Sequence, residues 1–304
     1  MKKLMTALLT AMLLITSTAY ADKFGDATSA YAKGDYKKAI TLLKPLALQG
    51  GAGAQTNLGI MYANGLGVTQ DDVKAVKWYK LAAAQGHAGA QYNLGIMYDA
   101  GRGVTQDYVE AIKWYKLAAA QGDADAQFNL GFRYAYGLGV AQDDVEAVKW
   151  YKLAAAQGHD KAQYDLGLMY ADGQGVPQDD VEAVKWFKLA AAQGQANAQF
   201  NLGIAYANGR GVTQDYVEEL KWYKLAAAQG QANAQYNLGV MYDKGRGVTQ
   251  DYINAYMWSN LAAAQGNAIA VKNRDIDASK MSQQQLAEAQ KLARECLARK
   301  YKGC

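Results

Sequence analysis

Apolar positions return along most of this chain at the spacing of a helix. In residues 90–125, AQYNLGIMYDAGRGVTQDYVEAIKWYKLAAAQGDAD, Ala90, Leu94, Met97 and Tyr98 draw one stripe down a first helix. Ala111, Trp114, Tyr115, Ala118 and Ala119 draw a second stripe, with Lys113 and Lys116 on the outer, solvated side. Gly101 and Gly103 end the first helix, and Gly122 closes the second. Asp107 is placed to cap the second helix, and Glu110 three residues on predicts a capping box, repeated as Asp143/Glu146, Asp179/Glu182 and Asp215/Glu218. Glycine is unfavourable inside a helix, so Gly95 predicts a close backbone approach to a neighbouring helix.

The pair of helices recurs. Trp78, Trp114, Trp150, Trp186, Trp222 and Trp258 stand 36 residues apart, which defines six units starting at Ala54, Ala90, Ala126, Ala162, Ala198 and Ala234. The strings AQYNLGIMYDAGRGVTQD and AIKWYKLAAAQG resemble the Sel1-like repeat, a relative of the tetratricopeptide repeat with a longer turn between its helices. The resemblance covers residues 54–269 and implies an all-α fold, a right-handed α-solenoid of αα-hairpins. Residues 22–53 look like a shorter tetratricopeptide-like hairpin. From Ala270 the motif is lost, and residues 270–304 read as the atypical helical cap that closes a solenoid.

The two ends bear on compartment. Lys2 and Lys3 precede an apolar stretch from Leu4 to Ile15 that finishes on Ala19-Tyr20-Ala21, the pattern of a signal peptide spanning 1–21 and cleaved after Ala21. The expected location is periplasmic or secreted, without membrane insertion, because the apolar stretch falls short of the roughly 20 residues of a spanning helix. Cys296 and Cys304 are the only cysteines, and in an exported chain an isolated pair reads as a disulfide, two free thiols being the alternative. A straight helix would hold them about 12 Å apart, so the chain must turn back before Cys304. Cysteine-rich secreted relatives of the Sel1-like family also carry cysteine pairs eight positions apart.

Charge and chemistry narrow the function. Without Lys2 and Lys3 there are 30 basic and 28 acidic residues, mixed along the chain, which argues against nucleic acid as a partner. His87 and His159 occupy the same turn position in different units and read as solvated turn residues, too far apart to share a proton or a metal. Ser29, Ser259, Ser279 and Ser282 lie in no Ser-x-x-Lys or Gly-x-Ser-x-Gly motif. No cofactor, metal or catalytic residue is expected. The rival functions are a β-lactam- or peptidoglycan-acting enzyme, as described for some cysteine-rich relatives, and a purely structural spacer.

The resemblance instead implies a monomeric scaffold that binds a protein or peptide on the concave face lined by the first helices. Two rows fall there: Thr56, Tyr92, Phe128, Tyr164, Phe200 and Tyr236, and Ile60, Ile96, Phe132, Leu168, Ile204 and Val240. Packing between successive first helices is the alternative role of these side chains. Between them runs Asn57, Asn93, Asn129, Asp165, Asn201 and Asn237; an asparagine there can donate to and accept from a peptide backbone or make a structural bond to the next layer, and Asp165 breaks the row. Arg133, Tyr136 and Asp172 replace commoner Met, Asn or Ala, which singles out units three and four for a specific contact.

Overall fold

The computed structural model describes residues 20–304. Residues 1–19, which hold nearly all of the expected signal peptide, lie outside the described residues. Two compact bodies divide the chain, one reaching to Asp143 and one running from Asp144 to Cys304. The first holds α1 (20–32), α2 (Tyr36–Leu48), α3 (Ala52–Asn64), α4 (Asp72–Ala84), α5 (Ala88–Ala100), α6 (Tyr108–Ala120) and α7 (Ala124–Tyr136). The second holds α8 (Asp144–Ala156), α9 (Asp160–Asp172), α10 (Asp180–Ala192), α11 (Ala196–Asn208), α12 (Tyr216–Ala227), α13 (Ala232–Lys244), α14 (Tyr252–Ala264), α15 (Ala268–Ser279) and α16 (Gln283–Ala298). Every element among the described residues is a helix, and from α2 to α7 and from α8 to α15 consecutive helices pack on one another.

Each hairpin is shaped by its turn. The first helix stops on a left-handed glycine, such as Gly101 with φ 64°, and Gly103 then lets the loop press on the carbonyl of Asp72, at the start of the preceding second helix. Asp107 caps α6 by accepting from the Glu110 N–H at 2.9 Å, but the expected capping box is only half made. The backbone N–H of Asp107 already donates to the Tyr98 carbonyl across the turn, so Glu110 has nothing to bond there and pairs with Lys113 at 2.8 Å. The same crossing bond joins Asp179 to Tyr170 and Asp215 to Tyr206.

Three further expectations are corrected by the packing. Gly95 admits an aromatic ring rather than a neighbouring backbone: the Tyr115 ring of the same hairpin lies over it. Tyr115, 1% exposed, is the deep residue of α6, whereas Trp114 is only half-buried and bridges to the core made by α4 and α5. Trp222 bridges to the core of α10 and α11 in the same way. His87 and His159 are not merely solvated: their Nδ1 atoms accept from the Ala90 and Ala162 N–H groups and cap α5 and α9, as Asp123, Gln195, Gln231 and Asn267 do for their helices.

A buried glutamine ladder joins the layers. Gln91 donates to the Ala83 carbonyl of the preceding hairpin and accepts from Gln121 of its own, and the pattern returns at Gln199 with Ala191 and Gln229, and at Gln235 with Ala227 and Gln265. With both ends of a buried amide satisfied, the ladder sets the register between hairpins. At the end of the second body α16 packs on α14, and its buried Cys296 is disulfide-bonded to Cys304 with Cα atoms 5.5 Å apart. The chain reverses there through Lys300 and Tyr301, both with positive φ, and the Tyr301 N–H donates to the Cys296 carbonyl.

Candidate functional site

Within each body the aromatic row on the first helices is half-buried, and its rings lean on the second helix of their own hairpin. Tyr92 meets Tyr115 at 6.0 Å between centroids, Tyr164 meets Phe187 at 6.0 Å and Phe200 meets Tyr223 at 5.7 Å. Burial pushes the Tyr92 hydroxyl up to about 12, with Asn129 bonding it at 3.5 Å. Phe128 is half-buried as well, and Tyr236, which has Ser259 in place of a ring on its second helix, lines a polar cleft with Asp243 and Asp277. Thr56 is buried and bonds the Ala52 carbonyl.

The amide row divides its capacity between structure and surface. Asn93 donates to the Gly89 carbonyl one turn back at 2.7 Å. Asn237 bonds the Tyr223 hydroxyl, and Asp165 accepts from that of Tyr151, each from the preceding second helix. Burial pushes the Asp165 carboxyl up to about 6, against the opposing pull of the Tyr151 bond and of Lys161. Its special position in the row is therefore paired with a hydroxyl that also holds the layers together.

Arg133 is corrected as a contact residue. It is 8% exposed, ion-paired with Asp99 of α5, and its guanidinium lies 5.1 Å from the centre of the Tyr108 ring. Arg133 stands where other repeats bury Met61, Met97, Met169 and Met241, so its side chain follows the same inward path and must take a carboxylate with it. Tyr136 does the opposite. It is 64% exposed, and its ring is tilted by 43° against that of Phe132 with centroids 4.6 Å apart, giving the first body an open aromatic pair. Asp172 is exposed at the end of α9 in the second body.

Asp172 and Asn201 share a cavity that the sequence pattern did not reveal. It measures about 220 Å³ and lies among α9, α10 and α11, walled by Leu168, Ala171, Val184, Phe187, Ile204 and Ala205. Arg210 and Asp180, paired at 2.9 Å, stand at its mouth. The signal was in the sequence all the same: Ala205 takes the methionine position of its repeat, and Phe187 the tyrosine position. Among the described residues no group of three or more His, Cys, Asp or Glu is placed to hold a metal, and no helix is long and apolar enough to cross a membrane.

The profile of the Sel1 repeat matches six consecutive stretches, 52–87, 88–123, 124–159, 160–195, 196–231 and 232–267. The chain belongs to the Sel1 repeat family. These bounds begin each Sel1 repeat two residues before the alanine that opens the sequence motif, at the start of the first helix. A Sel1 repeat protein from Oxalobacter formigenes is 35% identical with a TM-score of 0.70, over 79% of this chain and 96% of that one. The protective antigen c5321 of uropathogenic Escherichia coli, which displays the same repeat fold, is 27% identical with a TM-score of 0.51, over 94% of this chain and 86% of that one. No curated protein matches at a significant level. The fold is thus the all-α solenoid of Sel1 repeats, a scaffold commonly used for protein interaction.

Proposed function

We propose that this Sel1 repeat protein is an exported scaffold that holds a protein or extended peptide partner along its first helices. The observation that carries this reading is the Phe132/Tyr136 pair, because a large aromatic side chain left 64% exposed at the end of a first helix, tilted against one other ring, has most of its surface open to a partner. The other helices of the series end on Asn64, Ala100, Asp172, Asn208 and Lys244 at the same position. The residues assigned to the binding face, each within its own body, are Tyr92, Asn93, Phe128 and Asn129 in the first and Tyr164, Asp165, Asp172, Phe200, Asn201, Tyr236 and Asn237 in the second. Export is supported by the signal-like residues 1–21 and by the Cys296–Cys304 bond, which persists in an oxidising compartment.

A photo-crosslinking amino acid placed at Tyr136 should trap partner from an envelope or secreted fraction, and one placed at Lys113 on the opposite helix of the hairpins should not. Phe132→Ala with Tyr136→Ala should reduce that capture at least tenfold while leaving helicity unchanged. Equal trapping from both positions would overturn the assignment of the face. Recovery of the chain in the cytosol with Met1 intact would overturn export.

A further inference from the structure

The two bodies contain the same core three repeats apart, and the copy in the second body borders a cavity. In the first body Ala63, Val76, Tyr79 and Met97 close together, with Met97 2% exposed. In the second the equivalent residues are Ala171, Val184, Phe187 and Ala205. Ala205 lacks everything beyond Cβ, so the atoms a methionine would supply are missing from the wall of the cavity of about 220 Å³. The ion pair above it is unchanged in kind: Arg102 to Asp72 in the first body, Arg210 to Asp180 in the second.

We infer that this cavity anchors one large aliphatic side chain, Leu or Met in kind, from a peptide segment that carries Lys or Arg next to it. The inference rests on the proposed peptide-binding face and names what one position of that face accepts. The walls are apolar, so the inserted group is too, and the volume is below the roughly 300–1,000 Å³ of pockets that hold whole small molecules. An anchor side chain fits this scale, as at the centre of protein interfaces. The mouth gives the neighbouring charge. Asp172 and Asp180 supply two carboxylates against the single guanidinium of Arg210, and Arg210 is already paired with Asp180, so the exposed Asp172 is left to meet a cation. Asn201 stands at the same rim, where its amide can bond a peptide group.

Ala205→Met tests the inference cleanly, because it restores the residue of the other repeats and should raise the melting temperature rather than disturb the fold. The probes are N-acetyl-Leu-Lys-amide and N-acetyl-Leu-Glu-amide, titrated into the full mature chain with methyl NMR signals of Leu168 and Ile204 as the readout. The lysine probe should shift both methyls saturably, at least fivefold more tightly than the glutamate probe, and Ala205→Met should abolish the shifts. Shifts that persist in Ala205→Met, equal affinity for the two probes, or no shift at all would overturn the anchor site. Loss of partner trapping on Phe132→Ala/Tyr136→Ala with no probe effect at Ala205 would leave the binding face standing and remove only the anchor.

Discussion

The Tyr115 ring lies so close to the backbone of Gly95 that a Cβ on the glycine would stand 2.6 Å from its Cε1 atom. Tyr115 is 1% exposed and has Tyr92 on another side, so its ring has nowhere to move. Overpacking by Gly95→Ala should cost about 1–3 kcal/mol, against the roughly 1 kcal/mol that alanine gains from helix propensity, so the net loss should reach up to about 2 kcal/mol. Urea unfolding measures this. A midpoint that rises would show that the ring can yield.

Asp165 provides a pH signature. Its carboxyl is raised to about 6 in the folded chain, above the roughly 3.9 of an unfolded one. The folded state then binds more protons between these values, so this group favours folding at low pH and that favour is lost as pH rises through about 6. The full displacement converts to about 3 kcal/mol, and partial exposure of the side chain brings the expected effect to about 1–2 kcal/mol. Asp165→Asn, the residue of the other repeats, can still accept from Tyr151 and should stabilise the chain above pH 6 by that amount. Melting curves of both proteins should converge near pH 4. A gap that is constant with pH would refute the assignment, and Asp277, also raised, is common to both proteins and cancels.

The Arg133–Asp99 pair should behave as a buried ion pair. Asp99→Ala leaves the Arg133 guanidinium buried beside Tyr108 without its carboxylate and should cost about 3–5 kcal/mol. Adding Arg133→Met returns the methionine of the neighbouring repeats and should recover most of that loss. A double-mutant cycle by chemical denaturation gives the coupling. Additive single effects would mean that the pair is energetically idle.

The Cys296–Cys304 bond closes a loop of sequence separation 8, for which chain entropy predicts about 2.5 kcal/mol. Its effect should be confined to the end, because a terminal hairpin has a neighbour on one side only and frays first. Reduction should raise hydrogen exchange across 286–304, where Tyr301 and Cys296 pack on the core with Trp258, and leave α5 and α6 nearly unchanged. Uniform loss of protection would rule out a local staple.

Much of this architecture can be read from spacing alone. The recurrence of Trp114 and its equivalents, the Gly101/Gly103 turn and the Ala-rich second helix specify helix, turn and helix through local interactions that span a few residues. What was not legible depends on a partner far along the chain. Asp107 looked like half of a capping box, but the Tyr98 carbonyl takes the N–H that Glu110 would have bonded. Gly95 looked like a helix contact and is the seat of a ring. Gln91, to which the helical spacing gave no role, is a buried rung between hairpins.

The candidate site divides along the same line. Sequence by itself determined that Tyr92, Phe128, Tyr164 and Phe200 share one register position on the first helices, because a 36-residue period carries each residue to the same place in its hairpin. It also marked Arg133, Tyr136 and Asp172 as departures from that period. Only the tertiary structure decided what each departure does. Arg133 turns inward because the methionine path it inherits leads to Asp99, Tyr136 stays outside with its ring tilted against Phe132, and the short Ala205 lies in the wall of an open cavity. Periodicity fixes where a side chain begins, whereas burial, ion pairing and empty volume are set by the neighbours it meets across the hairpin.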